Sequence, residues 1–155
     1  MNAIRQECDE HGWDYAVYYD SVLVHERVHL LHYQAVLAHF GAAGAAVQSA
    51  EYKQAQRYWY GRQMEAAQAA VVKETLAEFA RWLCCLQQGH LALAQAFLQT
   101  PEEARTCIPY YPYAGVRGLC ALYVRSPQAA VRAYSELWQL SLTSWQQAYA
   151  RIKEL

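Results

Sequence analysis

Charged residues, glycine and proline are scarce in this sequence. Only 17% of its 155 residues are Asp, Glu, Lys or Arg, and it has 7 glycines and 4 prolines. Few glycines and prolines mean few helix-breaking positions, and frequent alanine and glutamine favour helix over sheet. We therefore predict an all-α protein in which residues 1–155 form a single helical domain. The expected architecture is an antiparallel helical bundle or an elongated helical hairpin of four to five helices.

The chain also lacks an excess of charge and a long hydrophobic run. Its formal net charge is −1 and its Lys and Arg residues are scattered, so we expect no nucleic-acid partner. The sequence contains no run of about 18 uninterrupted apolar residues, so no membrane span is expected. Residues 1–9 carry charges where a signal peptide has an apolar segment, and we therefore expect a cytoplasmic protein.

A regular cysteine framework is absent as well. The 5 cysteines are odd in number and form no C-x-x-C pair, so we expect reduced, buried thiols rather than disulfides. In contrast, 55% of the residues are apolar and 13 are tyrosine. One small core is not expected to bury this much apolar surface. We therefore predict a homo-oligomer, with a protein partner or an apolar surface as the alternative contact.

The first long helix is expected to run from Asp14 to Phe40, after a polar lead-in at residues 1–12. Asp14 can accept hydrogen bonds from the first backbone amides of a helix. Gly41 fits the position just past a helix end. Leucines at heptad spacing line one face of this predicted helix, and histidines occupy much of the opposite side.

Residues 45–99 have helical composition and form either one long helix or a hairpin. The hairpin would turn at Gly61 or at Gly89, where the composition is weakest for a helix. An apolar seam keeps its phase through Gly89, which favours a kink there rather than a helix end.

Two proline motifs mark helix starts in the second half. Thr100-Pro101 predicts a short helix that stops before an extended, tyrosine-rich loop at residues 108–113. Residues 113–124 are expected to be helical again. Ser126-Pro127 then begins a last helix that runs to about Lys153 and carries a stripe rich in tryptophan.

The stretch His25-Glu26-Arg27-Val28-His29 matches the pattern H-E-x-x-H, and His32 follows three residues later. On a helix, His25 and His29 lie one turn apart, and their imidazoles can bind one zinc ion. His32 would be a third ligand on the same face, and Glu26 would act as general base on a zinc-bound water. With this motif the chain resembles the zincin metalloproteases, which implies a zinc-dependent hydrolase.

Other features speak against catalysis. Arg27 is charged where the zincins generally have an uncharged residue, and no strand is predicted that would hold a substrate. The third zincin ligand usually comes from another element, and nothing selects one of the acids Glu51, Glu74 and Glu78.

A histidine face is the simpler interpretation of the motif. It would bind a metal, take up protons or pack against a partner, and its members are His25, His29, His32 and His39. The E-x-x-H half of a di-iron site is present at Glu26 and His29, but a second E-x-x-H is missing from the sequence.

The second half of the chain resembles the phasins, the small helical proteins that coat polyhydroxyalkanoate granules in bacteria. The resemblance covers about residues 60–155, and the segments that carry it are Gln63 to Glu78, Thr100-Pro101-Glu102-Glu103-Ala104 and Ser126-Pro127-Gln128-Ala129-Ala130. It implies an amphipathic helical protein that oligomerises or covers an apolar surface. The abundant Trp, Cys and His of this chain depart from the phasin pattern.

We therefore expect a non-enzymatic helical interaction or surface-coat protein that self-associates. The alternatives are a zinc-dependent hydrolase that uses the motif at His25 to His29, and a non-catalytic, histidine-rich metal-binding protein. The predicted metal ligands are His25, His29 and His32, and zinc is the cofactor that they suggest.

Overall fold

The structure, a computed structural model, describes residues 3–59, 67–98 and 113–155. Within these ranges the chain is almost entirely helical and contains no strand, which confirms the all-α prediction. The helices are α1 (Ala3–His11), α2 (Tyr15–Trp59), α3 (Ala67–Gln87), α4 (Leu91–Leu98), α5 (Tyr113–Arg125), α6 (Pro127–Thr143) and α7 (Trp145–Ile152). These seven helices exceed the predicted four to five, so that count was wrong.

Two unpredicted features raise the number of helices. Residues predicted to be a polar lead-in form α1, and Ser144 divides the predicted last helix into α6 and α7. Ser144 has an extended backbone (φ −157°, ψ 100°), and its amide donates to the Leu140 carbonyl at 2.6 Å. Its hydroxyl accepts from the Gln147 amide at 3.4 Å. One serine therefore ends α6 and caps α7, a role for which serine is strongly preferred.

The glycines behave differently from each other. Gly89 has a left-handed φ of 81°, α3 ends at Gln87 and α4 begins at Leu91, so the predicted kink at Gly89 is a helix end. Gly41 has non-helical dihedral angles (φ 71°, ψ −178°), but helical backbone resumes beyond it within α2. Left-handed φ angles are accessible to glycine at little cost, which explains why both breaks occur at glycines.

The cap at Asp14 and the helix at residues 113–124 agree with the sequence predictions. Asp14 caps α2, because its Oδ1 accepts a hydrogen bond from the Val17 amide at 3.0 Å. The helix predicted at 113–124 is confirmed as α5. The start at Thr100-Pro101 lies outside the described residues, as do Gly61 and residues 108–112 of the loop predicted at 108–113, whereas Tyr113 is the first residue of α5.

One hydrophobic cluster draws buried side chains from all seven helices. Helix α3 is its centre and contacts α2, α4, α5, α6 and α7. Its Leu76 and Phe79 are at most 2% exposed. Gly115 lets α5 approach closely, because a Cβ there would lie 2.7 Å from Ile152 and 2.9 Å from Thr75. None of the described helices is long and apolar enough to cross a membrane.

Helices α2 and α3 run antiparallel, as the order of their paired residues shows. His29 meets Glu74, His25 meets Glu78, and Ser21 meets Arg81. These contacts place the H-E-x-x-H motif directly against α3.

Candidate metal centre

His25 and His29 lie one turn apart on α2 and face the same carboxylate of α3. Their Nε2 atoms are 2.9 Å apart, and the two rings meet edge to face. One oxygen of Glu74 lies 3.3 Å from Nε2 of His25, and the other lies 3.4 Å from Nε2 of His29. The three side chains, which we call the His-His-Glu centre, thus bring two nitrogens and a carboxylate to one point.

A second carboxylate lies on the other side of the His25 ring. Nδ1 of His25 is buried and lies 3.1 Å from an oxygen of Glu78, although its N–H is not directed along that line. Arg81 holds the same oxygen at 3.5 Å and donates from Nε to the Ser21 hydroxyl at 3.1 Å. Glu78 is therefore fixed between His25 and Arg81.

The carboxylates outweigh burial in setting the charge of His25. Burial by itself lowers the pKa of His25, but the close carboxylates of Glu74 and Glu78 together raise that pKa to about 9. The His25, His29 and Glu74 side chains are only 14%, 22% and 15% exposed, so solvent screens these interactions weakly. The His25 imidazolium therefore faces both acids, and the Arg81 guanidinium is a second cation beside Glu78.

The ligand atoms of the centre lie close enough together to share one zinc ion. Zinc binds nitrogen and carboxylate oxygen at about 2.0–2.2 Å, which places tetrahedral ligand atoms roughly 3.3 Å from one another. Here the two histidine nitrogens are 2.9 Å apart, and they lie 3.3 and 3.4 Å from different oxygens of Glu74. One ligand atom from each of the three residues lies within 4.8 Å of the other two. Two histidines and one glutamate from two helices can thus hold such an ion and leave a fourth position for water.

The structure separates the four predicted histidines. His25 and His29 belong to the centre, whereas His32 contacts α6, with its Nε2 2.8 Å from the Ser141 hydroxyl. The Ser141 hydroxyl donates to the Trp138 carbonyl, so the nitrogen of His32 must be the donor in this contact. His39 is exposed and contacts only the neighbouring Phe40 ring in the described structure.

The acid that joins the histidines is Glu74, which the sequence did not distinguish from Glu51 and Glu78. Glu26, the predicted general base, is exposed, and no described contact joins it to the centre. A cavity of about 300 Å³ lies elsewhere, lined by residues 12–14, 17 and 89–93. None of the three ligand side chains lines that cavity.

His32 makes the stability of the fold dependent on pH. Burial, the Lys73 charge and the His29 charge lower its pKa from 6.5 to about 4. As the pH falls through this interval, the unfolded chain binds a proton at His32 that the folded chain does not. We expect the free energy of unfolding to fall by at most about 3 kcal/mol for this group, most of it between about pH 6.5 and pH 4.

Urea unfolding across this pH range tests the expectation. His32→Gln keeps an N–H donor for Ser141 but cannot titrate, so its stability should depend less on pH than that of the wild type. His39→Gln is the matched control, because His39 is exposed on the same helix, and it should follow the wild type. If the free energy of unfolding changed with pH equally in all three proteins, the assignment to His32 would be wrong.

Comparison of the chain with protein-family models, with curated proteins and with solved structures finds no match.

Proposed function

We propose that this protein binds a divalent transition-metal ion at the His-His-Glu centre, and that zinc is the ion that fits it best. The observation that carries the proposal is that His25, His29 and Glu74 each offer a ligand atom within 4.8 Å of the other two. Imidazole and carboxylate ligands suit zinc, whereas calcium and magnesium prefer sites built of oxygen. His32, which the sequence suggested as a ligand, is replaced by Glu74 in this proposal.

Glu78 supports the same assignment. Histidines that bind zinc commonly present their second ring nitrogen to a carboxylate, which fixes the ring orientation. Glu78 lies 3.1 Å from the second nitrogen of His25, and Arg81 restrains it from the far side. Because the proton on Nε2 of His25 must leave before a metal binds, we expect an affinity below that of a site with neutral histidines.

We favour a non-catalytic role for this metal over hydrolysis. A hydrolase of the zincin type would need Glu26 beside the metal-bound water, and Glu26 is exposed without a contact to the centre. Glu78, the other nearby acid, is held by Arg81 and His25. The metal then serves to join α2 to α3.

A second candidate is supported by a different observation. Large apolar side chains of α2 are exposed, among them Leu30 at 56% and Tyr33 at 47%. Such a surface supports a helical bundle that acts as a self-associating interaction or surface-coat protein, as the phasin resemblance implies. The two proposals concern different faces of α2 and are compatible.

Isothermal titration of the metal-free chain with zinc, on protein prepared without a histidine tag, tests the first proposal. We expect one zinc per chain. His29→Ala and Glu74→Gln should each weaken binding on the order of 100-fold, because each removes one of three ligands. His39→Ala is the control, since His39 is on the same helix but outside the centre. If His29→Ala and His39→Ala weakened zinc binding equally, the proposal would be refuted.

A further inference from the structure

Helix α2 carries an exposed apolar stripe that the metal proposal does not use. Its positions, which we call the α2 seam, alternate four and three residues apart and are Tyr19, Leu23, Glu26, Leu30, Tyr33, Leu37 and Phe40. Five of these side chains are 39% to 56% exposed although they are large and apolar. No described part of the chain covers this face.

The spacing identifies the kind of surface that fits the seam. An average period of 3.5 residues keeps a stripe in contact with another helix over several turns, as in coiled coils. Leu31 shows the contrast, because it is as exposed as Leu30 but lies about 100° away around the helix. The seam therefore suits a partner helix laid along α2.

We propose that the occupant of the α2 seam is a second copy of this chain, paired antiparallel through the same seam. This inference rests on the second candidate function and not on metal binding. The seam has one charged member, Glu26, and Arg27 follows it. In a parallel pair Glu26 would face Glu26 of the second copy, and like charges directly opposite are unfavourable.

An antiparallel two-fold arrangement removes that conflict. When Glu26 lies opposite Leu30 of the second copy, Arg27 of that copy is one helical turn away, within reach of the carboxylate. The two-fold axis repeats the same contact on the other side. Tyr19 then faces Leu37, and Leu23 faces Tyr33, so the remaining layers are apolar.

The area of the seam sets the expected strength of the pairing. Side chains of roughly 200 Å² each, exposed by about half, give on the order of 450 Å² per copy. Two copies, together with their polar borders, reach about the 1,200 Å² at which specific interfaces begin. We therefore expect a reversible dimer with a dissociation constant in the micromolar range.

Sedimentation equilibrium of the full chain in EDTA, from about 1 to 200 μM, tests the proposal. The wild type should pass from one chain to two with rising concentration. Leu30→Lys should weaken association at least about 10-fold, because it places a charge in the seam. Leu31→Lys is the matched control, with equal exposure outside the seam, and should dimerise as the wild type does. A wild type that stays monomeric, or equal effects of the two variants, would overturn the proposal.

Charge exchange tests the antiparallel orientation. Glu26→Arg and Arg27→Glu should each weaken the dimer, and the double variant should restore it, because the opposite charges then meet again. A double variant as weak as its single parents would overturn the antiparallel arrangement.

Binding of the chain to triglyceride droplets separates the inference from the function on which it rests. A monomer that coats droplets would overturn the second-copy inference and leave the coat function standing. A monomer that does not coat them would refute both.

Discussion

Saturation with zinc is expected to raise the free energy of unfolding by about 4 kcal/mol when free zinc is about 1,000 times the dissociation constant. The reason is that the His-His-Glu centre exists only where α2 packs against α3, with His25 and His29 on one helix and Glu74 on the other. The unfolded chain separates these ligands and loses the ion. Binding energy at the centre therefore appears as folding energy.

Urea unfolding in EDTA and in buffered zinc measures this gain. A variant with about 100-fold weaker binding, such as Glu74→Gln, should retain only about 1.4 kcal/mol of it at the same free zinc. His39→Ala should keep the whole gain. Equal stability of the wild type with and without zinc would contradict a centre that joins two helices.

Helix ends were predictable where a single local signal decides them. Asp14 caps α2 and Ser126 caps α6, because each side chain accepts a hydrogen bond from an amide three residues later. The split at Ser144 was missed, since serine is common inside amphipathic helices as well as at caps. At Gly89 the sequence left a kink and a hairpin turn open and favoured the kink, because the apolar period continues across it into α4.

The two histidines of the candidate centre were predictable from the sequence, but its glutamate was not. Helical spacing alone places His25 and His29 together, since they lie one turn apart. The choice of Glu74 depends on the relative alignment of α2 and α3, which core packing sets and no local spacing encodes. His32 shares the wheel position of the other histidines, but its imidazole contacts the Ser141 hydroxyl of α6. Helical spacing gives the side of the helix on which a side chain lies, but it does not identify the helix that packs against that side.

Glu78→Gln is expected to lower the free energy of unfolding by about 3 kcal/mol in EDTA, because it leaves buried charges without their counterion. Glu78 faces the His25 imidazolium at 3.1 Å and the Arg81 guanidinium at 3.5 Å. Arg81 is only 9% exposed, so water cannot take the place of the lost carboxylate. Urea unfolding at about pH 7.5, where His25 is charged, measures the loss.

The matched control is Glu136→Gln, because Glu136 pairs with Arg151 on the surface. That pair is as close as Glu78 and His25, at 3.1 Å, but Glu136 is 51% exposed. Solvent screens it, and we expect a loss of less than about 1 kcal/mol. If distance rather than burial governed the energy, the two variants would lose similar amounts of stability, so a loss for Glu136→Gln as large as that for Glu78→Gln would refute the argument.

Arg81→Met in the Glu78→Gln background separates the two charges that Glu78 balances. Removing the guanidinium should recover part of the loss, because one of the two uncompensated charges disappears. The recovery stays incomplete for two reasons. His25 keeps only Glu74 as an acidic neighbour, and the stacking of Arg81 over the Phe97 ring at 4.0 Å is lost. A double variant whose loss equals the sum of the single losses would show that Glu78 and Arg81 act independently.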